Sequence, residues 1–298
     1  MVVPAYANGD QIHRQEAPRE RRRPATIARR IVVVAASAGG VEALQVLLSR
    51  LPADFPAPIL VVLHIPATGG RALPRILDRA GPLLAAAAAD GEDLQPGRVY
   101  VAPPDRHVLV VGDTVRVCAG PRQKGHRPAA DPLFGSVALA VAPRAVAVVL
   151  SGALDDGAAG CAAVERRGGL VVVQDPQESH YNGMPRAAIA LTQRAVVLTV
   201  ARIADFLDER TRTEAPATPP TSDRDLERYI SLLLRPTRGG EPEGGLSCPE
   251  CGGQLGRVAM RHASIRYECE LGHVFSPGNL AVRQSAAIER LLWAATFR

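Results

Sequence analysis

The run Ile31-Val32-Val33-Val34-Ala35-Ala36-Ser37-Ala38-Gly39-Gly40 decides how the rest of the chain is read. Six apolar residues without polar alternation describe a strand buried on both faces, as strands are in parallel sheets. The glycines after Ser37 permit a tight turn, and residues 41–50 continue at helical spacing. The same grammar recurs along the chain. The run Ile59-Leu60-Val61-Val62-Leu63 closes on His64, and residues 145–150 lead through Ser151-Gly152-Ala153-Leu154-Asp155 to Asp156. Residues 99–102 and 170–173 read as further strands, and 107–111 with 114–118 as a hairpin turning at Gly112-Asp113. Helices are expected over 70–79, 131–141, 156–167, 185–191 and 201–210, with Asp131 as an N-cap followed by Pro132. This alternation predicts an α/β fold, a doubly wound and mostly parallel Rossmann-like sheet.

Working outward, residues 1–30 carry Arg14, Arg19, Arg21, Arg22, Arg23, Arg29 and Arg30 against Glu16 and Glu20. They read as a basic solvated tail, or as a tether to an acidic partner or membrane surface. Residues 31–211 are the α/β domain. Residues 212–245 read as a linker with a short helix at 226–234 and a flexible joint at 239–245, and 246–298 as a small module ending in a helix. With 298 residues, 47% of them hydrophobic, the chain can bury a full core, and at 4% aromatics Val, Leu and Ala must fill it. No apolar stretch is long enough to span a bilayer, and no apolar segment precedes the arginines as in a secretory signal. A cytoplasmic protein that is not membrane-embedded is expected. The net charge of +5 sits largely in the tail, so no nucleic-acid partner is expected of the body.

Ligands in open α/β sheets bind outside the carboxyl ends of the strands. Ser37, His64 and Asp156 all fall there, which gathers a hydroxyl, an imidazole and a carboxylate on one rim. That is the set needed for nucleophilic acyl transfer. Each also has a plainer reading: Ser37 as an N-cap, His64 as a hydrogen-bonded structural residue, Asp156 as a helix-capping carboxylate. Gly-x-Gly-x-x-Gly is absent, which disfavours a dinucleotide turn. Gly-x-Ser-x-Gly is also unmet, and the chain order Ser, His, Asp differs from that of the α/β-hydrolases, chymotrypsin and subtilisin.

Residues 31–191 resemble the catalytic domain of the CheB-type chemotaxis protein-glutamate methylesterases. The resemblance rests on Ala36-Ser37-Ala38-Gly39-Gly40, Leu63-His64-Ile65-Pro66, Tyr100-Val101-Ala102-Pro103, the 126–134 segment from His126-Arg127-Pro128, the 150–160 segment around Asp155-Asp156-Gly157, and Gly183-Met184-Pro185-Arg186. It implies a doubly wound domain of the CheB catalytic type and a Ser37, His64, Asp156 triad that hydrolyses glutamyl γ-methyl esters, with glutamine deamidation as a side activity. It also implies a methyl-accepting chemoreceptor as substrate and no cofactor for catalysis. Where the family has Thr after the nucleophile this chain has Ala38, so the oxyanion donor there must be a backbone N–H. Ala153-Leu154 replaces a family Met-Gly, which keeps the Ala153 N–H as a second donor but strains the turn if position 154 needs positive φ. Ala129 replaces a Ser. A catalytically weak CheB-like scaffold in a chemosensory-type pathway is the alternative, favoured by Ala38 and Leu154. Family members often open with a receiver domain; about 30 residues before the first strand are too few for one, so constitutive activity or control by a partner is expected.

Cys248-Pro-Glu-Cys251 is followed after seventeen residues by Cys269, and after three more by His273. That spacing suits a closed tetrahedral Cys3His zinc site in a ribbon-like module, structural because no ligand position stays open; iron is the second choice. Arg257, Arg261 and Arg266 have no aromatic platform beside them, so docking to a signalling partner through the module or the tail is favoured over nucleic acid. Cys118 and Cys161 read as small core residues. His107, His126 and His262 read as exposed, and Arg122, Lys124 and Arg127 as a solvated loop able to face acidic receptor helices.

Overall fold

The apolar runs do become strands, and their register explains why. In the computed structural model, which describes residues 30–65, 72–215, 222–234, 241–260 and 263–296, strand β1 (Ile31–Ala36) is buried at all six positions. Helix α1 (Gly40–Arg50), β2 (Ile59–Leu63), α2 (Leu73–Asp78), β3 (Leu84–Ala87) and β4 (Arg98–Val101) follow, then the hairpin β5 (His107–Val111) and β6 (Thr114–Cys118). The second half runs α3 (Ala130–Val141), β7 (Ala145–Val149), α4 (Ala158–Arg166), β8 (Leu170–Gln174), α5 (Gly183–Leu191), β9 (Val196–Leu198) and α6 (Val200–Arg212). Seven of these strands form one sheet in the order β3-β4-β2-β1-β7-β8-β9, with every pairing parallel.

Alternate β1 residues feed two cores. Ile31, Val33 and Ala35 pack with Leu133, Phe134 and Val137 of α3, while Val32, Val34 and Ala36 pack with Leu44, Leu47 and Leu48 of α1 and Ile203 and Leu207 of α6. Burying each Val or Leu stabilises by about 1.5–3 kcal/mol relative to exposure. A one-residue register slip would swap the two faces of the strand. The chain builds outward from β1 on one side, then returns to pair β7 on the other. The strand order therefore reverses at β1, the place where such sheets bind ligands.

Several boundaries differ from expectation. β3 and β9 were not foreseen; both are short, and β3 is only partly buried, so neither shows a long apolar run. Asp131 is not an N-cap: Ala129 holds that position, and the Asp131 carboxylate instead accepts the Gly160 N–H at 2.8 Å. Helix α6 runs to Arg212, one residue into the segment read as linker. Helix α7 (Arg224–Leu234), inside the segment read as linker, packs Leu226 against the α3 core and Ile230 and Leu233 against Leu109. Residues 241–245, read as a flexible joint, belong to β10 (Glu241–Ser247). Strands β11 (Gln254–Met260), β12 (Ala263–Cys269) and β13 (Val274–Phe275) complete a four-stranded antiparallel sheet, and α8 (Pro277–Thr296) follows. Cys161 is buried and Cys118 half-buried. The arginine-rich tail up to Arg29, Pro66, the start of the expected 70–79 helix, linker residues 216–221 and 235–240, Arg261 and His262 lie outside the described residues. Among the described residues no helix is long and apolar enough to cross a membrane.

Candidate active site and metal cluster

Three neighbouring strand ends supply the site. Ser37 follows β1, His64 follows β2, and Asp156 follows β7 after a short turn; β2 and β7 both pair with β1. The His64 N–H donates to the Ala36 carbonyl at 3.2 Å, and the Ser37 N–H to the Ser151 carbonyl at 2.9 Å. The sheet register thus continues one residue into the site on each side. Gly39, the residue before α1, has φ +71°, and a Cβ there would lie 2.8 Å from Ser151 Oγ. Only glycine turns the chain this closely.

His64 Nε2 lies 2.7 Å from Asp156 Oδ2, and both side chains are almost fully buried. Asp156 is a saturated acceptor. Oδ2 also takes the Ala130 N–H at 2.6 Å, and Oδ1 takes the N–H groups of Asp131 at 3.2 Å and Gly157 at 3.0 Å. Burial alone would raise this carboxyl, but the His64 hydrogen bond and charge, Lys124 and the Ala130 N–H outweigh it and hold it well below the usual carboxylate range. An ionised carboxylate only accepts, so Nε2 carries a proton, and in the neutral ring Nδ1 holds the free lone pair. No hydrogen bond joins Ser37 to His64 among the described residues. Neither the Ala38 nor the Ala153 N–H enters an internal hydrogen bond among them. Leu154 adopts φ +64°, the left-handed conformation its β-carbon disfavours.

Six further residues surround the site. Ser151 Oγ donates to the Ala38 carbonyl at 2.8 Å, and the Ser151 N–H donates to Gln174 Oε1 at 2.8 Å. Lys124 is buried, not solvated: its Nζ lies 2.9 Å from Asp131 Oδ2, 3.6 Å from Asp155 Oδ2, and donates to the Asp155 carbonyl at 2.8 Å. Burial works against its charge, but Asp131, Asp155 and Asp156 keep it cationic. Arg122 and Arg127, both half-buried, pair with Asp105 at 3.2 and 2.8 Å. His126 is not exposed either. Its ring stacks on His64 with centroids 3.8 Å apart and planes 3° from parallel. Burial, the charge of His64 and Arg283 push it down to about 3. His107 is wholly buried, its Nε2 donating to the Pro121 carbonyl at 2.9 Å, and burial lowers it to about 4. Ser151 and His126 both stand in the motifs that carry the family resemblance; nothing in the sequence marked Lys124.

The second cluster lies in the C-terminal module. Ligand atoms of Cys248, Cys251, Cys269 and His273 all fall within 4.8 Å of one another. Cys269 Sγ is 3.3 Å and Cys248 Sγ 3.6 Å from His273 Nδ1, and Cys251 Sγ is 3.6 Å from Cys269 Sγ. Zn–S bonds near 2.3 Å and Zn–N bonds near 2.0–2.1 Å in a tetrahedron set ligand atoms about 3.5–3.8 Å apart, so the donor set fits such an ion. Two tight turns present it. The Gly252 N–H bonds the Cys248 carbonyl at 2.8 Å, and the Gly272 N–H bonds the Cys269 carbonyl at 2.8 Å.

Comparison with known proteins bears on the α/β domain. The sequence model of the CheB methylesterase family matches residues 32–207. A protein-glutamate methylesterase/protein-glutamine glutaminase of Anaeromyxobacter dehalogenans is 48% identical over 180 residues, covering 60% of this chain and 53% of that protein. A putative enzyme of the same description from Leptospira interrogans is 37% identical over 176 residues, covering 59% of this chain and 91% of its own. The chain spans about half the length of most of the curated relatives it matches. The crystal structure of the Thermotoga maritima CheB methylesterase catalytic domain superposes with a TM-score of 0.58 at 33% identity, covering 61% of this chain and 98% of that domain. Fold and matched span agree, and the chain belongs to the CheB methylesterase family.

Proposed function

We propose that this protein is a serine esterase that removes methyl groups from glutamyl γ-methyl esters, with Ser37, His64 and Asp156 as its catalytic residues. The observation that carries the reading is the 2.7 Å bond between buried His64 and Asp156 on the rim where Ser37 ends the neighbouring strand. Because Nε2 is committed to Asp156, Nδ1 is the base. It takes the Ser37 hydroxyl proton as Oγ attacks the ester carbonyl carbon, a contact that forms with substrate in place. The N–H groups of Ala38 and Ala153 hold the oxyanion. Nδ1–H then protonates the departing methoxide, methanol leaves, and a glutamyl ester of Ser37 remains. Water, deprotonated by the same nitrogen, attacks that ester and restores Ser37 and a glutamate. A glutamine side chain enters the same route with ammonia as the leaving group.

The relatives' names point to protein glutamates, and the family resemblance makes the substrate methylated glutamates on cytoplasmic helices of a chemoreceptor, met in the cytoplasm. We treat residues 31–211 as the catalytic unit and 246–298 as a module folded around a structural zinc held by Cys248, Cys251, Cys269 and His273. Methanol release from methylated receptor tests the reading. Ser37→Ala lowers it about 10⁴-fold or more, with a serine-directed phosphonate labelling the parent and not the variant. Near-normal release from the variant rules the mechanism out.

A further inference from the structure

The segment between β6 and α3 has two faces. Inward, Lys124 reaches Asp131 and Asp155, and His126 stacks on His64. Outward, it meets the C-terminal module. The Val274 N–H donates to the Arg122 carbonyl at 3.3 Å, and the Lys124 N–H donates to the Val274 carbonyl, so Gln123 and Val274 pair as a parallel bridge. From α8, Arg283 Nη2 donates to His126 Nε2 at 3.2 Å. Gly125 makes that approach possible, since a Cβ there would lie 2.6 Å from the Arg283 guanidinium carbon. Arg266 of β12 lies over the Tyr229 ring of α7, 5.5 Å from its centroid. The docking residue Val274 directly follows the metal-cluster residue His273.

We propose that the Cys/His module is a clamp on the active site: it holds residues 122–126 through Val274, and through Arg283 it fixes the His126 ring against His64. Arg283 is thus a positioning residue for the esterase. The proposal rests on the reading of Ser37, His64 and Asp156 as the catalytic set. A guanidinium can only donate, so the Arg283 bond commits His126 Nε2 as an acceptor and keeps that ring neutral. A cationic His126 stacked on His64 would oppose the positive charge His64 acquires when it takes the serine proton. The charged and titratable groups around His126 are His64 and Asp156 on its inner side, Arg122 in its own segment and Arg283 from α8. Among the described residues, Arg283 and the metal cluster meet the catalytic rim through this segment. Grip on the segment depends on β13, and β13 depends on the ligand turn before it.

Two measurements on the full chain test the clamp. Amide hydrogen exchange compares the zinc-loaded protein with the protein stripped by a chelator. Exchange in 122–127 rises by about tenfold or more on metal loss while β1 and β7 keep their protection. The second is the pH dependence of ester hydrolysis in Arg283→Gln and Arg283→Lys. Removing the guanidinium moves the acid limb to higher pH, with about a threefold or greater loss at pH 6 and under twofold at pH 8.5; lysine restores most of the loss. Unchanged exchange in 122–127 after the module has lost its metal overturns the clamp. So does an Arg283→Gln profile that superposes on the parent. Ser37→Ala addresses the catalytic reading separately, and the exchange result stands whatever that variant does.

Discussion

His64 and Asp156 are 92 residues apart in sequence yet meet at 2.7 Å, while the four metal-cluster residues fall between positions 248 and 273 and bring their ligand atoms within 4.8 Å of one another. The two regions reach similar precision by different physics. In the α/β domain the strands beneath the site are buried on both faces, and the register of β1 with β2 and β7 fixes the rim before any side chain is chosen. In the C-terminal module the buried cluster is small, chiefly Leu255, Phe275 and Leu280 around Cys248 and Cys269. Such a core stabilises little without a further tie, and a metal bound by four side chains would supply one. Catalysis on the rim should therefore survive modest local change but fail on loss of a charge. The module, folded around the proposed zinc, should fail on loss of that ion.

The largest effect expected is at Asp156. Asp156→Asn removes the charge and offers a donor where Ala130, Asp131 and Gly157 already donate. Turnover falls about 10⁴-fold, because the His64 tautomer with a lone pair at Nδ1 is no longer enforced. Steady-state methanol release measures this, and a loss under tenfold would mean the carboxylate does not orient the ring.

Next in size is removal of the ion. Chelation, or Cys269→Ser, abolishes protection of β11 and β12 amides in hydrogen exchange, while the seven-stranded sheet keeps its own. Persisting β12 protection in metal-free protein would erase the contrast between the two regions and make the cysteines ordinary core residues.

Acid sharpens the contrast from the other side. His107 is ordinarily protonated below about 6.5, but burial holds the native ring neutral down to about 4. Between those values the unfolded chain binds a proton that the native chain refuses, so stability falls as pH drops, by about 1.4 kcal/mol per pH unit. Asp156 has the carboxylate sign: its contribution is complete above the ordinary carboxyl range and is lost below it as pH falls toward its depressed native value. Urea midpoints of the α/β domain at pH 7, 6 and 5 give the slope; His126, pushed down to about 3, adds a like share, so His107→Phe removes about half of it.

How much of this could be read beforehand follows the same division. The β1, β2 and β7 strands were legible because burial on both faces leaves unbroken apolar runs, and the candidate site residues were chosen from where those runs stop. The cysteine and histidine spacing was legible because its ligands are local. What escaped was tertiary. A buried Lys124 is sustained by Asp131 and Asp155, and a stacked His126 by His64 and Arg283. In sequence both sit among arginines and look solvated, since nothing in a local pattern announces a partner from another element. The helix at 226–234 had a visible apolar face, but not the α3 and β5 surfaces that cover it.

The smallest effect tests how firmly the rim is imposed. Leu154 holds φ +64° where a leucine ordinarily resists it, at a cost of about 1–2 kcal/mol. It persists because both flanks are tied: Gly152 bonds Tyr181 and Met184 through its backbone, and Asp156 is held by three N–H groups and His64. Leu154→Gly releases that strain but gives up the packing of a half-buried side chain and frees the unfolded chain. The net is a gain of up to about 1 kcal/mol, or about 2–4 °C in Tm for a domain of this size. Differential scanning of the zinc-loaded protein resolves such a shift. A fall in Tm would mean that the leucine side chain, rather than the flanking hydrogen bonds, holds the Ala153 turn in place. The rim would then depend on local packing, as the metal module does.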